Sequence, residues 1–213
     1  MMMREGLRMV LELQKDIQIV GEAEDGRQAV ALVKRLRPAV VLMDLAMPLL
    51  NGLEATRQIR KDFPDTKVII LSAHGEDAFV KQVSELGAAG FLLKQTSSDV
   101  LATAIREVQK GNTFFSPAIA KRLQGRDQKS LKRGEQFKTK GNHLSSREVE
   151  VLQLIAEGHP NKQIAAELGV GFKTVDNTRQ RLMVKLNIHD VAGLTRYALA
   201  EGIIKSSPRL PIG

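Results

Sequence analysis

Short apolar runs alternate with amphipathic stretches of helix length over the first half of the chain. Four runs have the length and composition of strands: 17–23, 39–45, 67–73 and 90–94. The second and third are nearly all apolar, which is typical of parallel strands covered on both faces. Four further stretches carry apolar residues at helical spacing: 26–37, 51–62, 76–86 and 98–110. Asp25 and Ser97 are candidate N-caps. The alternation predicts an α/β fold with a doubly wound parallel sheet.

The second half of the chain has helical spacing only. Four helices are predicted there: 145–157, 161–168, 173–186 and 190–201. Ser145 and Glu148 open the first helix with the spacing of a capping box. Asn161 is a candidate cap of the second helix, and Gly169 is expected to end it. The pattern therefore predicts an all-α four-helix domain after the α/β domain.

Charge divides the chain at the same place. Residues 1–115 hold 15 basic and 15 acidic side chains, residues 116–142 hold 8 and 2, and residues 143–213 hold 9 and 7. The middle segment is rich in Lys, Arg, Gly, Gln and Ser, and we expect it to be a basic linker between two domains. The excess of positive charge favours a polyanionic partner. A solvated linker that is basic by chance is the competing interpretation.

Several classes of protein are disfavoured by what the sequence lacks. The chain has no cysteine, so it forms no disulfide and no thiolate metal site. Its four histidines do not have metal-ligand spacing. Its apolar runs are far shorter than the roughly 20 residues of a membrane-spanning helix. These features predict a cytoplasmic protein without a membrane segment.

Polar side chains end three of the predicted strands. Asp44 follows a buried apolar run, and Ser72 and Lys94 end the next two strands along the chain. Ligand sites of doubly wound sheets lie at the carboxyl ends of the strands. A carboxylate, a hydroxyl and an ammonium group at one sheet edge can accept and hold a phosphoryl group. The competing interpretation, that each residue merely ends a strand with a soluble side chain, is weaker for three positions than for one.

These residues belong to a larger resemblance. Residues 4–115 resemble the receiver domain of two-component response regulators of the NarL/FixJ group, on these stretches: 4–8, 20–23, 44–52, 71–73 and 87–94. The resemblance implies that Asp44 is the phosphorylated aspartate and that Lys94 pairs with the phosphate. It also implies that Ser72 is the switch hydroxyl, that Phe91 is the aromatic residue that follows it inward, and that the Ala46 backbone carbonyl and Asp44 are Mg²⁺ ligands.

One part of the receiver pattern is missing from the sequence. Receivers begin with a central strand that ends in an acidic Mg²⁺-binding pair, whereas this chain begins within the family's first helix. We therefore expect exposed strand edges and weak or absent Mg²⁺ binding. Either the first residue is an internal methionine of a longer gene product, or the receiver is degenerate and no longer uses phosphate. The survival of Asp44, Ser72, Phe91 and Lys94 favours the first explanation.

The predicted DNA-binding domain, 143–213, resembles the LuxR-type helix-turn-helix domain over residues 143–204. The matching stretches are 144–152, 161–165, 173–179, 185–186 and 197–199. On the third predicted helix, three side chains are placed to contact DNA bases: Asp176, Asn177 and Gln180. Four cations are placed to contact phosphates: Lys173, Arg179, Arg181 and Lys185. Departures from the family pattern at Pro160, Gly171 and Thr178 affect the entry into the recognition helix and one backbone contact.

The last predicted helix carries Val191, Leu194 and Ala198 at helical spacing. In the family this helix mediates dimerisation, and packing within the domain is the competing use of these side chains. Lysines and arginines of the linker are further candidates for non-specific DNA contacts.

The sequence thus predicts a DNA-binding transcriptional response regulator of a two-component phosphorelay, which is not an enzyme. A sensor histidine kinase would phosphorylate Asp44, and a homodimer would bind double-stranded DNA, with RNA polymerase as a further candidate partner. The alternative is a phosphorylation-independent regulator with a degenerate receiver. A third possibility, an enzyme built on the α/β half, is disfavoured because the chain has no glycine-rich phosphate loop.

Overall fold

The computed structural model describes residues 2–73, 83, 86–116 and 144–204. Within these residues it has a parallel α/β domain followed by an all-helical domain, so the predicted fold class is confirmed. None of the described helices is long and apolar enough to cross a membrane. Most of the predicted helix 76–86, nearly all of the predicted linker and residues 205–213 lie outside the described residues.

The α/β domain is built on a four-stranded parallel sheet. Its strands lie in the order β1-β2-β3-β4, with these bounds: β1 Val40–Asp44, β2 Lys67–Ser72, β3 Gly90–Leu93 and β4 Phe114–Phe115. The register pairs Met43 with Ile70 and Ile70 with Phe91, and all three side chains are buried. The short strand β4 was not predicted, because two phenylalanines carry too little periodicity to indicate a strand.

Helices cover both faces of this sheet. They are α1 Met2–Glu12, α2 Gly26–Leu36, α3 Gly52–Asp62 and α4 Ser98–Gln109. Asp25 caps α2 as predicted, since its carboxylate accepts a hydrogen bond from the Gln28 amide at 2.9 Å. Ser97 occupies the N-cap position of α4 but makes no side-chain capping bond. Apolar side chains of α2 and α3 pack in one core cluster, and those of α1 and α4 pack in another.

The prediction of a strand at 17–23 is wrong. This segment has no strand pairing, and β1 is one of the two edge strands of the sheet. A gap of about 530 Å³ separates residues 17–23 from β1. A strand forms only when a neighbouring strand satisfies its backbone hydrogen bonds. Because the gap separates residues 17–23 from β1, neither segment serves the other as that neighbour. Of the two strand edges that we expected to be exposed, the structure has one, the edge of β1.

The helical domain contains four helices around its own apolar core. Their bounds are α5 Ser146–Ala156, α6 Asn161–Glu167, α7 Phe172–Leu186 and α8 Val191–Ala200. The capping box predicted at the start of α5 is confirmed, with Ser145 and Glu148 bonded reciprocally. The capping role predicted for Asn161 is wrong. Pro160 occupies the N-cap position of α6, and the Asn161 side chain instead bonds to Asp176 and Arg179 of α7.

Glu148 joins α5 to α7. Its Oε2 accepts hydrogen bonds from the Ser145 amide and from Lys185 Nζ, both at 2.8 Å. Burial alone would raise the pKa of Glu148, but the hydrogen bonds from Lys185 and Ser145 lower it below its ordinary value. A group whose pKa is lowered on folding stabilises the fold above its unfolded pKa, and that contribution disappears as the pH falls.

We predict that Glu148→Gln destabilises the helical domain at pH 7 by roughly 1–3 kcal/mol, because a charged hydrogen-bond acceptor is lost. The difference from the parent should shrink as the pH falls below the ordinary value of 4.5. Tyr197 is the only tyrosine and the chain has no tryptophan, so tyrosine fluorescence during urea unfolding follows this domain alone. Glu201→Gln, at an exposed carboxylate, is the control. A difference that stays constant from pH 7 to pH 3 would contradict the assignment.

Candidate functional site

The Asp44 carboxylate stands at the carboxyl end of β1. Its Oδ2 lies 2.5 Å from Lys94 Nζ, and its Oδ1 accepts a hydrogen bond from the Ala46 amide at 3.1 Å. The Asp44 side chain is 29 % exposed and that of Lys94 is 18 % exposed. The carboxylate is therefore fixed on both oxygens and still reachable from solvent.

The two neighbouring strands place Ser72 and Lys94 beside Asp44. In the sheet register Asp44 lies opposite Leu71, and Ser72 lies opposite Leu93. The Lys94 amide donates to the Ser72 carbonyl at 2.7 Å, which fixes the start of the turn that carries the lysine. Ser72 is buried, and Phe91 on β3 is fully buried. The structure thus brings the four residues to adjacent strands, while their roles in phosphate binding stay a prediction.

This arrangement suits a carboxylate that accepts a phosphoryl group. A carboxylate oxygen is a competent nucleophile toward phosphorus when it is accessible. An ammonium group in contact with it can hold the phosphoryl oxygens and offset their charge. The remaining face of Asp44 is open for the donor to approach, since the side chain is partly exposed.

The donor set around Asp44 is poor for Mg²⁺. Three acidic side chains before α2 are engaged elsewhere: Glu22 and Glu24 form ion pairs with arginines of α1, and Asp25 caps α2. Within the described part of the chain, no three acidic, histidine or cysteine side chains are grouped to hold a metal. One carboxylate already paired with Lys94 and the Ala46 carbonyl do not amount to a tight Mg²⁺ site.

The loop that follows Asp44, residues 45–51, is held by the helical domain. Gln153 of α5 accepts hydrogen bonds from the Asn51 amide at 2.8 Å and from Asn51 Nδ2 at 3.1 Å. Its own Nε2 donates to the Met47 carbonyl at 3.0 Å. Glu157 accepts from the Leu49 amide at 3.2 Å. Gln153 is completely buried, and both its side-chain oxygen and its side-chain nitrogen bond to the loop.

A charged cluster continues this contact onto the receiver helices. Glu150 of α5 accepts hydrogen bonds from Gln58 of α3 at 2.9 Å and from Arg27 of α2 at 3.4 Å. Arg27 also lies 3.6 Å from Glu167 at the end of α6. We call the contacts of Gln153, Glu157, Glu150 and Glu167 with the α/β domain the interdomain contact. No sequence pattern predicts this contact, beyond a glutamine among the apolar side chains of α5.

The predicted DNA-contact residues divide into exposed and occupied side chains. The interdomain contact leaves α7 uncovered, and several of its side chains are exposed: Lys173, Asn177, Gln180, Arg181 and Val184. We call these the reading face. Asp176 accepts hydrogen bonds from Asn161 and Gln180, Arg179 donates to Asn161, and Lys185 pairs with Glu148. Asp176, Arg179 and Lys185 are half-buried and would have to exchange partners to reach DNA. Gln180 and Arg181 are exposed but also donate hydrogen bonds, Arg181 to Thr178 at 3.3 Å.

Two of the three residues predicted for dimerisation lie in the core instead. Leu194 and Ala198 are fully buried and pack in the helical-domain core, because their spacing places them on the side of α8 that faces α5. They are therefore not available to a second copy. Val191 is 42 % exposed, and Leu199, eight residues further on the same side of α8, is 36 % exposed.

The backbone is packed tightly behind Asp44. A Cβ on Gly52 would lie 1.9 Å from the Asp44 carbonyl oxygen, a distance that no side chain can occupy. The Gly52 amide also donates to the Leu45 carbonyl at 2.9 Å. The first turn of α3 thus holds the end of β1, and with it the Asp44 side chain, in place.

Comparisons with known proteins match both halves of the chain. The family model of the response regulator receiver domain matches residues 1–106, and that of the bacterial regulatory proteins of the luxR family matches residues 142–198. The transcriptional regulatory protein DegU of Brevibacillus brevis is 33 % identical over 213 residues, 95 % of this chain and 90 % of DegU. The response regulator protein VraR of Staphylococcus aureus is 35 % identical over 204 residues, 96 % of this chain and 94 % of VraR.

Solved structures are similar over nearly the same length. The Salmonella typhimurium response regulator RcsB has a TM-score of 0.54 at 28 % identity, covering 94 % of each chain. A structure of two RcsB dimers bound to two parallel DNAs has a TM-score of 0.55 at 28 % identity, covering 94 % of this chain and 93 % of that one.

We predict that Gly52→Ala destabilises the α/β domain by about 1–3 kcal/mol, because the added methyl group displaces backbone. Gly6→Ala is the matched control, since a Cβ there meets nothing within 4 Å. That control should stabilise α1 by up to about 1 kcal/mol. Thermal unfolding followed by far-UV circular dichroism compares the two variants with the parent. Equal shifts of the unfolding temperature in Gly52→Ala and Gly6→Ala would contradict the close packing of Gly52 against the Asp44 carbonyl.

Proposed function

The chain is a DNA-binding response regulator of a two-component system, with a receiver domain before a LuxR-type helix-turn-helix domain, and we propose on that basis that phosphorylation of Asp44 controls its binding to promoter DNA. The observation that carries the proposal is that one short loop connects Asp44 to the helical domain. Asp44 is followed directly by the loop 45–51, and the buried side chain of Gln153 holds that loop to the helical domain.

In the proposed reaction, a carboxylate oxygen of Asp44 attacks phosphorus of a phosphorylated sensor histidine kinase or of a small phosphodonor. The bond from phosphorus to the donor breaks as the acyl phosphate forms. Lys94 Nζ, which now lies 2.5 Å from Asp44 Oδ2, turns to the phosphoryl oxygens. The Ser72 hydroxyl, on the neighbouring strand, then turns toward the phosphoryl group. The Phe91 side chain follows Ser72 inward and repacks. Because the carboxylate donors for Mg²⁺ are few, we expect the reaction to need high Mg²⁺ concentrations.

Phosphorylation adds a charge of about −1.5 to −2 at Asp44. The Ala46 amide bonds to the Asp44 carboxylate, so a shift of the phosphorylated side chain pulls on the start of the loop. The far end of that loop provides the Met47, Leu49 and Asn51 backbone groups of the interdomain contact. We expect these hydrogen bonds to weaken, which releases the helical domain from the receiver.

The released domain would bind DNA through the recognition helix. Asn177 and Gln180 are the proposed base contacts, joined by Asp176 once it leaves Asn161. Lys173 and Arg181, with Arg179 and Lys185 after exchange of partners, are the proposed phosphate contacts. The reading face is already exposed while the helical domain contacts the receiver. Release of the helical domain would therefore change how the two helical domains of a dimer are spaced on DNA, and would not change access to α7.

A homodimer on a two-fold DNA site is the proposed active form, as in the RcsB dimers bound to DNA. The exposed apolar pair Val191 and Leu199 is the surface that we propose for dimerisation, in place of Leu194 and Ala198. RNA polymerase is a further proposed partner, and the expected setting is the cytoplasm.

A phosphorylation-independent regulator is the second candidate function. It is favoured by the absence, within the described residues, of an acidic cluster that could hold a metal. In that case the interdomain contact would respond to protein concentration or to a partner protein, and Asp44 and Lys94 would serve as a structural ion pair.

Intact-mass measurement after treatment with acetyl phosphate tests the phosphorylation site. We predict one phosphoryl adduct on the parent, increasing with Mg²⁺ concentration, and none on Asp44→Asn. Lys94→Arg, which keeps the charge, should retain part of the adduct. Equal adduct on the parent and Asp44→Asn would place the phosphate elsewhere, and no adduct on either would favour the second candidate.

Gln153→Leu tests the interdomain contact. The substitution leaves the Asn51 amide and the Met47 carbonyl without their partner, at a cost of about 1–3 kcal/mol each. We predict a larger radius of gyration by small-angle X-ray scattering and tighter binding to a two-fold DNA site without phosphorylation. Gln28→Leu, on the exposed side of α2, should change neither. Combining Gln153→Leu with Asn177→Ala should abolish specific binding while the expanded shape remains. An unchanged radius of gyration in Gln153→Leu would contradict the proposal that Gln153 holds the helical domain to the receiver.

A further inference from the structure

An exposed aromatic side chain lies at the start of α7. Phe172 is the first residue of this helix and is 57 % exposed. The same helix packs in the core of the helical domain through other residues, among them Val175 and Leu182, which are buried. Single exposed apolar residues are common on protein surfaces, so it is the position of this ring that matters.

The first turn of α7 is open to an approaching ligand. Its residues 172–175 carry one charge, the positive charge of Lys173, and Phe172 and Lys173 are both exposed. In a helix-turn-helix domain, the N-terminal residues of the recognition helix contact base edges. Phe172 also precedes Asp176 by four residues, so the two side chains are neighbours on one side of the helix. The ring therefore lies beside a proposed base contact.

Gly171 leaves this end of the helix uncovered. It occupies the N-cap position with a φ of −71° and makes no side-chain capping bond. A Cβ at Gly171 would meet Thr174 Oγ1 at 3.9 Å and nothing nearer, so neither the backbone conformation nor the packing requires a glycine. A capping serine or aspartate would place a polar side chain over the first turn. With glycine, the first turn and Phe172 stay accessible.

We propose that Phe172 determines sequence specificity by packing its ring on the C5-methyl group of a thymine in the major groove. A phenyl ring cannot make the hydrogen bonds by which phosphates and most base edges are contacted. The thymine methyl is the apolar group that base pairs present in the major groove, and phenylalanine is among the side chains that contact it. Apolar wedges that separate base steps act from the minor groove, where a recognition helix does not lie. This proposal rests on the proposed use of α7 as the recognition helix.

Removal of single methyl groups from DNA tests the role of Phe172. A binding site is first selected from a random pool of duplexes with the full chain. Each thymine of the half-site is then replaced in turn by deoxyuridine, which lacks only the C5-methyl group. We expect the parent to bind about fourfold more weakly when one particular thymine is replaced, the effect of burying one methyl group. Phe172→Ala should bind the thymine and deoxyuridine duplexes equally, and Phe172→Leu should keep part of the preference.

Two control variants separate Phe172 from the rest of α7. Val184→Ala removes another exposed apolar side chain, which is 76 % exposed and lies three turns further along the helix. Asn177→Ala removes a proposed base contact. Whatever their overall affinity, both should keep the parent's ratio between the two duplexes. Because residue 172 is exposed and alanine favours a helix more than phenylalanine does, Phe172→Ala should resist urea as well as the parent.

A thymine preference that survives in Phe172→Ala would overturn the proposal, as would a parent that is insensitive to every thymine methyl group. Loss of the preference in Val184→Ala instead of Phe172→Ala would also overturn it. Full binding by Asn177→Ala, with the preference intact, would contradict the proposed base contact of Asn177 and still support the role of Phe172. Selected duplexes without a common sequence would overturn both.

Discussion

The end of β1 is where the parts of this protein depend on one another. Gly52 packs against the Asp44 carbonyl so closely that no side chain fits, and Lys94 and the Ala46 amide fix both carboxylate oxygens. The next seven residues, 45–51, lead from that fixed point to Asn51, which is hydrogen-bonded to Gln153 of the helical domain. A displacement at Asp44 has little freedom to dissipate within the sheet, because β2 and β3 are buried on both faces. In the proposed mechanism the displacement is transmitted along the loop instead.

The interdomain contact shows how a regulator can restrain its DNA-binding domain without covering the recognition helix. The receiver contacts α5 and the end of α6, through Glu150, Gln153 and Glu167. The side chains of the reading face point elsewhere and stay exposed. Under the proposed function, control in such an arrangement would concern orientation and pairing of domains, since α7, the helix proposed to contact bases, is exposed throughout.

The fold and the Asp44 site could be predicted because local patterns determine them. Apolar runs followed by Asp44, Ser72 and Lys94 indicate parallel strands with a common edge, and Ser145 with Glu148 indicates a helix start. The prediction of a strand at 17–23 was wrong because strand pairing needs a neighbouring strand, and the residues of the segment itself do not show whether one is present. Leu194 and Ala198 have the spacing of a helix face, but spacing does not say whether that face meets the core or a second copy. The role of Gln153 depends on its partners in the other domain, over one hundred positions away in the sequence.

The exposed reading face has a consequence for how the protein meets its target. Lys173 and Arg181 remain accessible to a polyanion while the receiver is docked. Contacts with phosphates are independent of base sequence and allow a protein to slide and hop along DNA. The resting regulator therefore need not wait in free solution until a signal arrives. Under the proposed function it would already be distributed along the chromosome, and a short one-dimensional search and the pairing of neighbouring molecules would set the response time.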